Sequence, residues 1–241
     1  AWGGANTLAQ AIWKVQRERT EEQLKAFLDK LYVYTITDQD VSWGDRGNHK
    51  YSSHYWMRQT CGKSLRFIWD ESAWLSQCGL GSSRWGEYAT HIQGHGHLGR
   101  IYPKNKYGVE GDTPSYLHLM PNGLNNPAVF NEAGWGGYFE WGLSPDGETS
   151  CYPNHQPEVK KISQKYENYF YPAIFANFAA RMDWAAQGKG NHNPVVIVNR
   201  QKGLDAVSLK ARAGETIQLD ASKSSDPDGD RLSYHWWILP E

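Results

Sequence analysis

Leu31-Tyr-Val-Tyr-Thr-Ile-Thr37, followed at once by Asp38-Gln39-Asp40, is the stretch that decides the fold class. Its β-branched and aromatic residues predict a strand, and the polar cluster behind it predicts where that strand stops. A helix precedes it. Thr20 and Gln23 have the spacing of a capping box, Glu21 and Glu22 occupy the first turn, and Leu24, Phe27 and Leu28 form an inner face. Further upstream, Leu8, Ala9, Ile12 and Val15 recur at helical spacing behind the turn Gly3-Gly4. Downstream, residues 64–69 predict a second strand, 85–92 a helix stopped by Gly94, and 113–120 a short helix with Pro114 in its first turn. Residues 124–168 carry no clear period and are expected to be long loops with a short strand near Tyr138; a last helix is expected over 173–186, ending at Gly188. Helices alternating with strands predict an α/β domain with a mainly parallel sheet.

The period changes beyond residue 187. Gly188 to Pro194, GKGNHNP, has the composition of a linker. The runs around 195–198, 207–211, 216–219 and 232–236 then alternate with turns, as the strands of an immunoglobulin-like β-sandwich do. About four of the roughly seven strands of such a sandwich are present, and the α/β pattern begins as if in mid-sheet. The expected organisation is therefore a C-terminal part of an α/β domain over 1–187, a linker over 188–194, and an incomplete sandwich over 195–241.

Bulk composition narrows the function classes. The formal net charge of the 241 residues is −1, with both signs dispersed, which leaves no electrostatic footprint for nucleic acid or an anionic membrane. No apolar run approaches the roughly 20 residues of a transmembrane helix, and residues 1–30 carry no signal-peptide pattern. Cys61, Cys78 and Cys151 lack metal-type spacing and are expected to be three independent thiols, a Cys61–Cys78 disulfide being the one pairing to consider. Twelve Trp and 14 Tyr supply flat apolar faces with polar edges, suited to sugar rings and equally to ordinary packing.

WGGANTLAQAI (2–12), YTITDQD (34–40), EGDTPSYLHLMPNGL (110–124), GWGGYF (134–139), FANFAARMDW (175–184) and NHNPVV (191–196) with LDASKSSDPDGDRLSYHWW (219–237) stand in one order along the chain. Together they resemble a bacterial and fungal family of cellulose-binding proteins that join a nucleoside-hydrolase-like domain to an immunoglobulin-like domain. The resemblance implies two functions. One is hydrolysis of an N-glycosidic or related glycosidic bond by water activated on Ca²⁺; the alternative is non-catalytic binding of cellulose or another glycan on a hydrolase-like fold. It implies as partner a carbohydrate or nucleoside-like small molecule or a polysaccharide, and a secreted, periplasmic or cell-surface setting. It also implies calcium ligands at Asp112, within Asp112-Thr113-Pro114, and at the backbone carbonyl of Trp2. Three further carboxylates expected from an N-terminal acidic cluster of the family are not found in this chain, and no catalytic residue is assigned.

Each candidate residue has a plain reading beside the functional one. Asp112 is a natural helix N-cap as well as a cation ligand. Glu110 is a loop charge or a sugar contact. Asp38, Gln39 and Asp40, at a strand end where α/β proteins bind ligands, could hold ribose-type hydroxyls or merely cap the next segment. Asn6, with Thr7, could reach the same crevice or serve as a plain helix start. His91, His95 and His97 stand among glycines on an expected loop with no carboxylate at regular spacing, which argues against a metal site. Asp226, Asp228 and Asp230 read as a turn or as calcium-type oxygens.

Overall fold

The computed structural model describes residues 4–41, 46–104, 109–124, 126 and 129–239. Helices α1 (Asn6–Glu18) and α2 (Glu21–Leu28) lead into β1 (Tyr32–Ile36). Thr20 and Gln23 form the reciprocal capping pair at the start of α2. A 3-10 turn (Arg46–Tyr51) and α3 (Ser53–Cys61) then return the chain to β2 (Arg66–Asp70). After it come α4 (Ala73–Ser83), α5 (Trp85–Tyr88), a π-turn (Ala89–Gln93), α6 (Gly96–Ile101) and α7 (Thr113–Leu117). The chain continues through β3 (Gly142–Leu143), β4 (Ser150–Pro153) and the 31-residue α8 (Pro157–Gln187). The four strands form one sheet in the order β1-β2-β4-β3. β1 pairs parallel with β2 in the register Tyr32↔Arg66 to Ile36↔Asp70, β2 pairs parallel with β4, and only the two-residue β3 is antiparallel.

Strand alternation sorts the core into two layers. Val33, Phe67 and Trp69 face Ile12, Leu28 and Met57 from the α1–α2–α3 side. Tyr34, one residue out of phase, meets the rings of His118 and Phe139 on the other face, where Leu117 joins Val159, Tyr166 and Phe170 of α8. Helices therefore cover both faces, which lets parallel strands stay buried. The buried Arg58 of α3 bonds Asp146 at 2.6 Å and Thr149 at 2.8 Å, and its guanidinium lies 4.2 Å from the Trp69 ring centroid. That contact fastens α3 to the β3–β4 hairpin.

The central knot is at the end of β2. Asp70, fully buried, accepts hydrogen bonds from the Ser72, Ala73 and Trp74 amides at 3.1, 2.8 and 2.9 Å and from Asn154 Nδ2 at 2.7 Å. The Ser72 hydroxyl in turn donates to Glu167 of α8 at 3.3 Å, and Ser163 donates to the same carboxylate at 2.6 Å.

Several expectations are corrected. The loop expected over 124–168 contains β3, β4 and the first half of α8, which runs straight through Pro172. A proline reads as a boundary in isolation, but the buried residues Val159, Ser163, Tyr166, Phe170 and Ile174 lie on both sides of it and hold one continuous helix against the core. The helix expected over 85–92 is a short α5 followed by a π-turn, and the helix expected to reach 120 stops at Leu117. The histidine segment 91–97 is mostly helical, with only Gly94 and His95 between the π-turn and α6: His95 pairs with Asp183 of α8, and His97 contacts Arg100. All three cysteines are free thiols.

Beyond Gly188, in the left-handed conformation that ends α8, the expected sandwich is not formed among the described residues. The strands there are β5 (Ile197–Val198) and β6 (Gln201–Lys202), joined through Asn199 and Arg200 at φ 49° and 69°, with one isolated bridge between Val195 and Ser225. Leu209, Ile217, Leu219, Tyr234 and Trp236 are about half exposed. A strand exists only through a pairing partner, and the alternating runs beyond 203 find none. Asp226 does close the turn, accepting from the Asp228 and Asp230 amides, and Trp237 leans on Tyr169 and Phe170 of α8.

Two outcomes are expected. Asp70→Ala leaves the Ser72 amide and the first two amides of α4 without acceptors and should lower unfolding stability by more than about 3 kcal/mol in urea titration; a loss below about 1 kcal/mol would show that the knot is dispensable. Hydrogen exchange should find amides 204–239 far less protected than those of α4 and α8, and equal protection would mean that the C-terminal segment pairs in solution.

Candidate functional site

The C-terminal end of β1 is built by backbone turns under constraint. Thr37 takes a left-handed φ of 57°, as does Glu110 at 59° on the segment that leads into α7. Non-glycine residues in this region are uncommon and gather where a site fixes the backbone. Thr37 turns Asp38, Gln39 and Asp40 back over the sheet edge, where α3 begins.

There the helix start and the carboxylates are locked together. Ser52 caps α3 by accepting from the Tyr55 amide at 2.9 Å, and its hydroxyl donates to Asp38 at 2.6 Å. Asp40 accepts from the Ser53 amide at 2.8 Å and from the Ser53 hydroxyl, while Asn6 of α1 reaches its other oxygen at 3.4 Å. The partial positive charge of the α3 N-terminus favours both carboxylates. His54, the second residue of α3, is buried beside them with Nδ1 3.9 Å from Asp38 Oδ1, and neither ring nitrogen has a hydrogen-bond partner. Burial lowers its pKa, against the opposing pull of Asp38 and Asp40.

Gln39, anchored to the Ile36 carbonyl at 3.0 Å, lines a cavity of about 310 Å³ together with Gly4, His54, Asp112 and Ser115. Asp112 precedes α7 but makes no side-chain capping bond, so its exposed carboxylate is uncommitted. The same residue borders a second cavity of about 370 Å³, shared with Glu110, Tyr116, Trp135, Asn177 and Arg181. Glu110 is more restrained: Tyr102 and Thr113 hydroxyls occupy its two oxygens. Asp112 thus stands between two adjoining hollows, one at the β1 edge and one walled by aromatic rings of α7 and α8. Thr7 is exposed on α1, and Trp2 lies outside the described residues.

Of the two residues in the implied calcium set, Asp112 lies among the described residues and Trp2 does not. Ca²⁺ takes six to eight oxygens, and among the described residues no group of three His, Cys, Asp or Glu side chains converges there. The converging group is Asp38, Asp40 and His54 instead, a set the sequence did not single out because His54 lies outside every motif. Ser52-Ser53, a pair of N-cap residues just before it, was the signal that a helix starts there. Asn177 and Arg181 were also missed, although their i,i+4 spacing puts them on one face of α8, bonded at 2.8 Å.

An open, mainly parallel sheet with helices on both faces and ligand-sized hollows beside the carboxyl end of an edge strand defines an α/β protein of the crevice-binding class. Residues 1–139 match the family described as cellulose-binding Sde182, nucleoside hydrolase-like domain, and residues 216–241 match the cellulose-binding protein Sde0182, C-terminal domain. The chain belongs to this nucleoside-hydrolase-like cellulose-binding family. It is also similar to the solved structure of a nucleoside hydrolase-related hypothetical protein from Saccharophagus degradans that is associated with carbohydrate metabolism. The two share 37% sequence identity with a TM-score of 0.73 over 96% of this chain and 54% of that one, so the chain spans about half that protein's length. No curated protein matches it.

His118, which follows α7 directly, holds that helix against the sheet. Its ring sits between Tyr32 and Tyr34, and a Cβ added to Gly136 would come within 2.5 Å of the His118 Cβ. Burial pushes its imidazole down to about 4. The unfolded chain takes up this proton near 6.5, so between pH 6.5 and 4 the unfolded state binds more protons and stability falls as pH falls. Buried His54 and half-buried His155 act in the same direction. The thermal midpoint should therefore drop over this window, and His118→Phe should make the drop shallower; parallel pH profiles for variant and parent would remove His118 as a cause.

Proposed function

We propose that this chain is a carbohydrate-binding protein whose hydrolase-like crevice holds a neutral polysaccharide of the cellulose type without cleaving it. The observation that carries this reading is the uncommitted carboxylate of Asp112 between two hollows, one of them walled by Tyr116 and Trp135. A sugar ring presents an apolar C–H face, which aromatic rings accept, and a rim of hydroxyls, which carboxylates, Asn177 and Arg181 can bond. The 370 Å³ hollow is within the range of small-molecule sites, and its continuation past Asp112 toward Gln39 suits an extended ligand. Family membership supports a glycan ligand and a position outside the cell or at its surface; among the described residues, no helix is long and apolar enough to cross a membrane. Residues 1–187 then form the binding unit, 188–194 the linker, and 195–241 a set of strand-type runs suited to an immunoglobulin-like sandwich whose pairing is not made within the described residues.

Calcium-dependent hydrolysis is the second reading, favoured by the segment Asp112-Thr113-Pro114, although among the described residues no two further His, Cys, Asp or Glu side chains join Asp112 in a three-residue group. One experiment separates them. The chain should be retained on microcrystalline cellulose and should bind cellohexaose in calorimetry, with Tyr116→Ala and Asp112→Asn each weakening affinity about tenfold, or about 1.4 kcal/mol. Tyr116 is 55% exposed, so its loss should not disturb folding. Release of free base from nucleosides, or of reducing ends from glycans, that is abolished in Asp112→Asn would restore the enzymatic reading; failure to bind any glycan would end the binding one.

A further inference from the structure

We propose that Asp38, Asp40 and His54 form a site for one divalent transition-metal ion of the zinc type, separate from any ion at Asp112. One ligand atom from each residue lies within 4.8 Å of the other two. The carboxylates alone have another explanation, since they fasten the start of α3. His54 does not. Only 2% exposed, with both ring nitrogens lacking a hydrogen-bond partner and Nδ1 3.9 Å from Asp38 Oδ1, it is a buried polar group whose need is unmet. A cation between the ring and the two carboxylates gives one of those nitrogens a partner and compensates the paired negative charges.

The dimensions and the surroundings suit such an ion. With bonds of about 2.0 Å, ligand atoms around a tetrahedral ion stand about 3.3 Å apart. The 3.9 Å between His54 Nδ1 and Asp38 Oδ1 closes to that value by a small side-chain rotation. Both carboxylates are already oriented from behind: Ser52 holds Asp38, while the Ser53 amide and Asn6 hold Asp40. Outer contacts of this kind fix first-layer ligands and raise affinity. The donor set selects the ion. An imidazole nitrogen with two carboxylates suits zinc and its neighbours, whereas calcium and magnesium prefer oxygen alone.

Three protein ligands leave a fourth position. His54 also lines the 310 Å³ hollow with Gln39 and Asp112, so the open position faces that hollow, where water or a ligand hydroxyl can complete the shell. The ion would tie the end of β1 to the start of α3 and, through Asn6, to α1. None of this depends on the polysaccharide reading, and either can fail without the other.

The test uses the whole chain, stripped with chelator and titrated with Zn²⁺ in calorimetry, with bound metal counted by elemental analysis. One ion per chain is expected, with a raised thermal midpoint and no displacement by millimolar Ca²⁺. Asp40→Asn and His54→Gln should each weaken binding at least tenfold, while the double variant His95→Ala/His97→Ala, altered at the other clustered histidines, should keep the site. If His54→Gln loses its far-ultraviolet circular dichroism, the half-buried Asp40→Asn decides. Absence of stoichiometric Zn²⁺ binding to the parent chain, or equal affinity in parent and Asp40→Asn, overturns the proposal.

Discussion

Four hydrogen bonds converge on the buried carboxylate of Asp70, and the layered arrangement rests on them. Three come from the N-cap Ser72 and the first two amides of α4, which would otherwise lack partners at a helix start inside the protein. The fourth comes from Asn154, just past β4, so the end of the central strand, the following helix and the neighbouring strand are fixed by one side chain. Glu167 extends the tie to α8 through Ser72, Ser76 and Ser163. Burial pushes both carboxyls upward, Asp70 against its amide donors and Glu167 against its hydroxyl donors. Polar groups this deep are tolerated because each is satisfied.

The crevice is a consequence of the same arrangement. Parallel strands tied at their carboxyl ends place the loops after β1 and β2 on one edge, and that edge is where α/β folds bind ligands. Thr37 and Glu110, both held at positive φ, are the points at which the backbone is bent to serve that edge. One brings Asp38 and Asp40 over α3; the other leads to Asp112 ahead of α7. Both turns give up favourable backbone conformation, and the packing around them maintains it.

Kinship to a nucleoside-hydrolase-related protein does not by itself fix the chemistry of the crevice. A fold carries many chemistries, and the site decides among them. Here the four carboxylates nearest the crevice stand in three environments. Asp38 and Asp40 are clamped to a helix start, Glu110 is spent on two hydroxyls, and Asp112 is exposed between two hollows.

The sequence by itself determined what is local. β1, α2 with its capping box, the α7 start with Pro114 in its first turn, the C-terminal end of α8 and the α/β class were legible because apolar period, caps and turns act within a few residues. So was the placing of Asp38, Gln39 and Asp40 at a strand end. Tertiary structure decided the rest. Pro172 lies within a continuous helix because packing on both sides of it outweighs the local preference for a break. β4 has only four residues, and its parallel pairing with β2 joins segments more than 80 residues apart, which no local period reports. The runs beyond 203 have strand alternation without strand partners, and alternation alone supplies no hydrogen bonds. His54 carries no motif; it acquires meaning only when the fold buries it against two carboxylates from another segment, where an unpaired imidazole nitrogen can no longer turn to water.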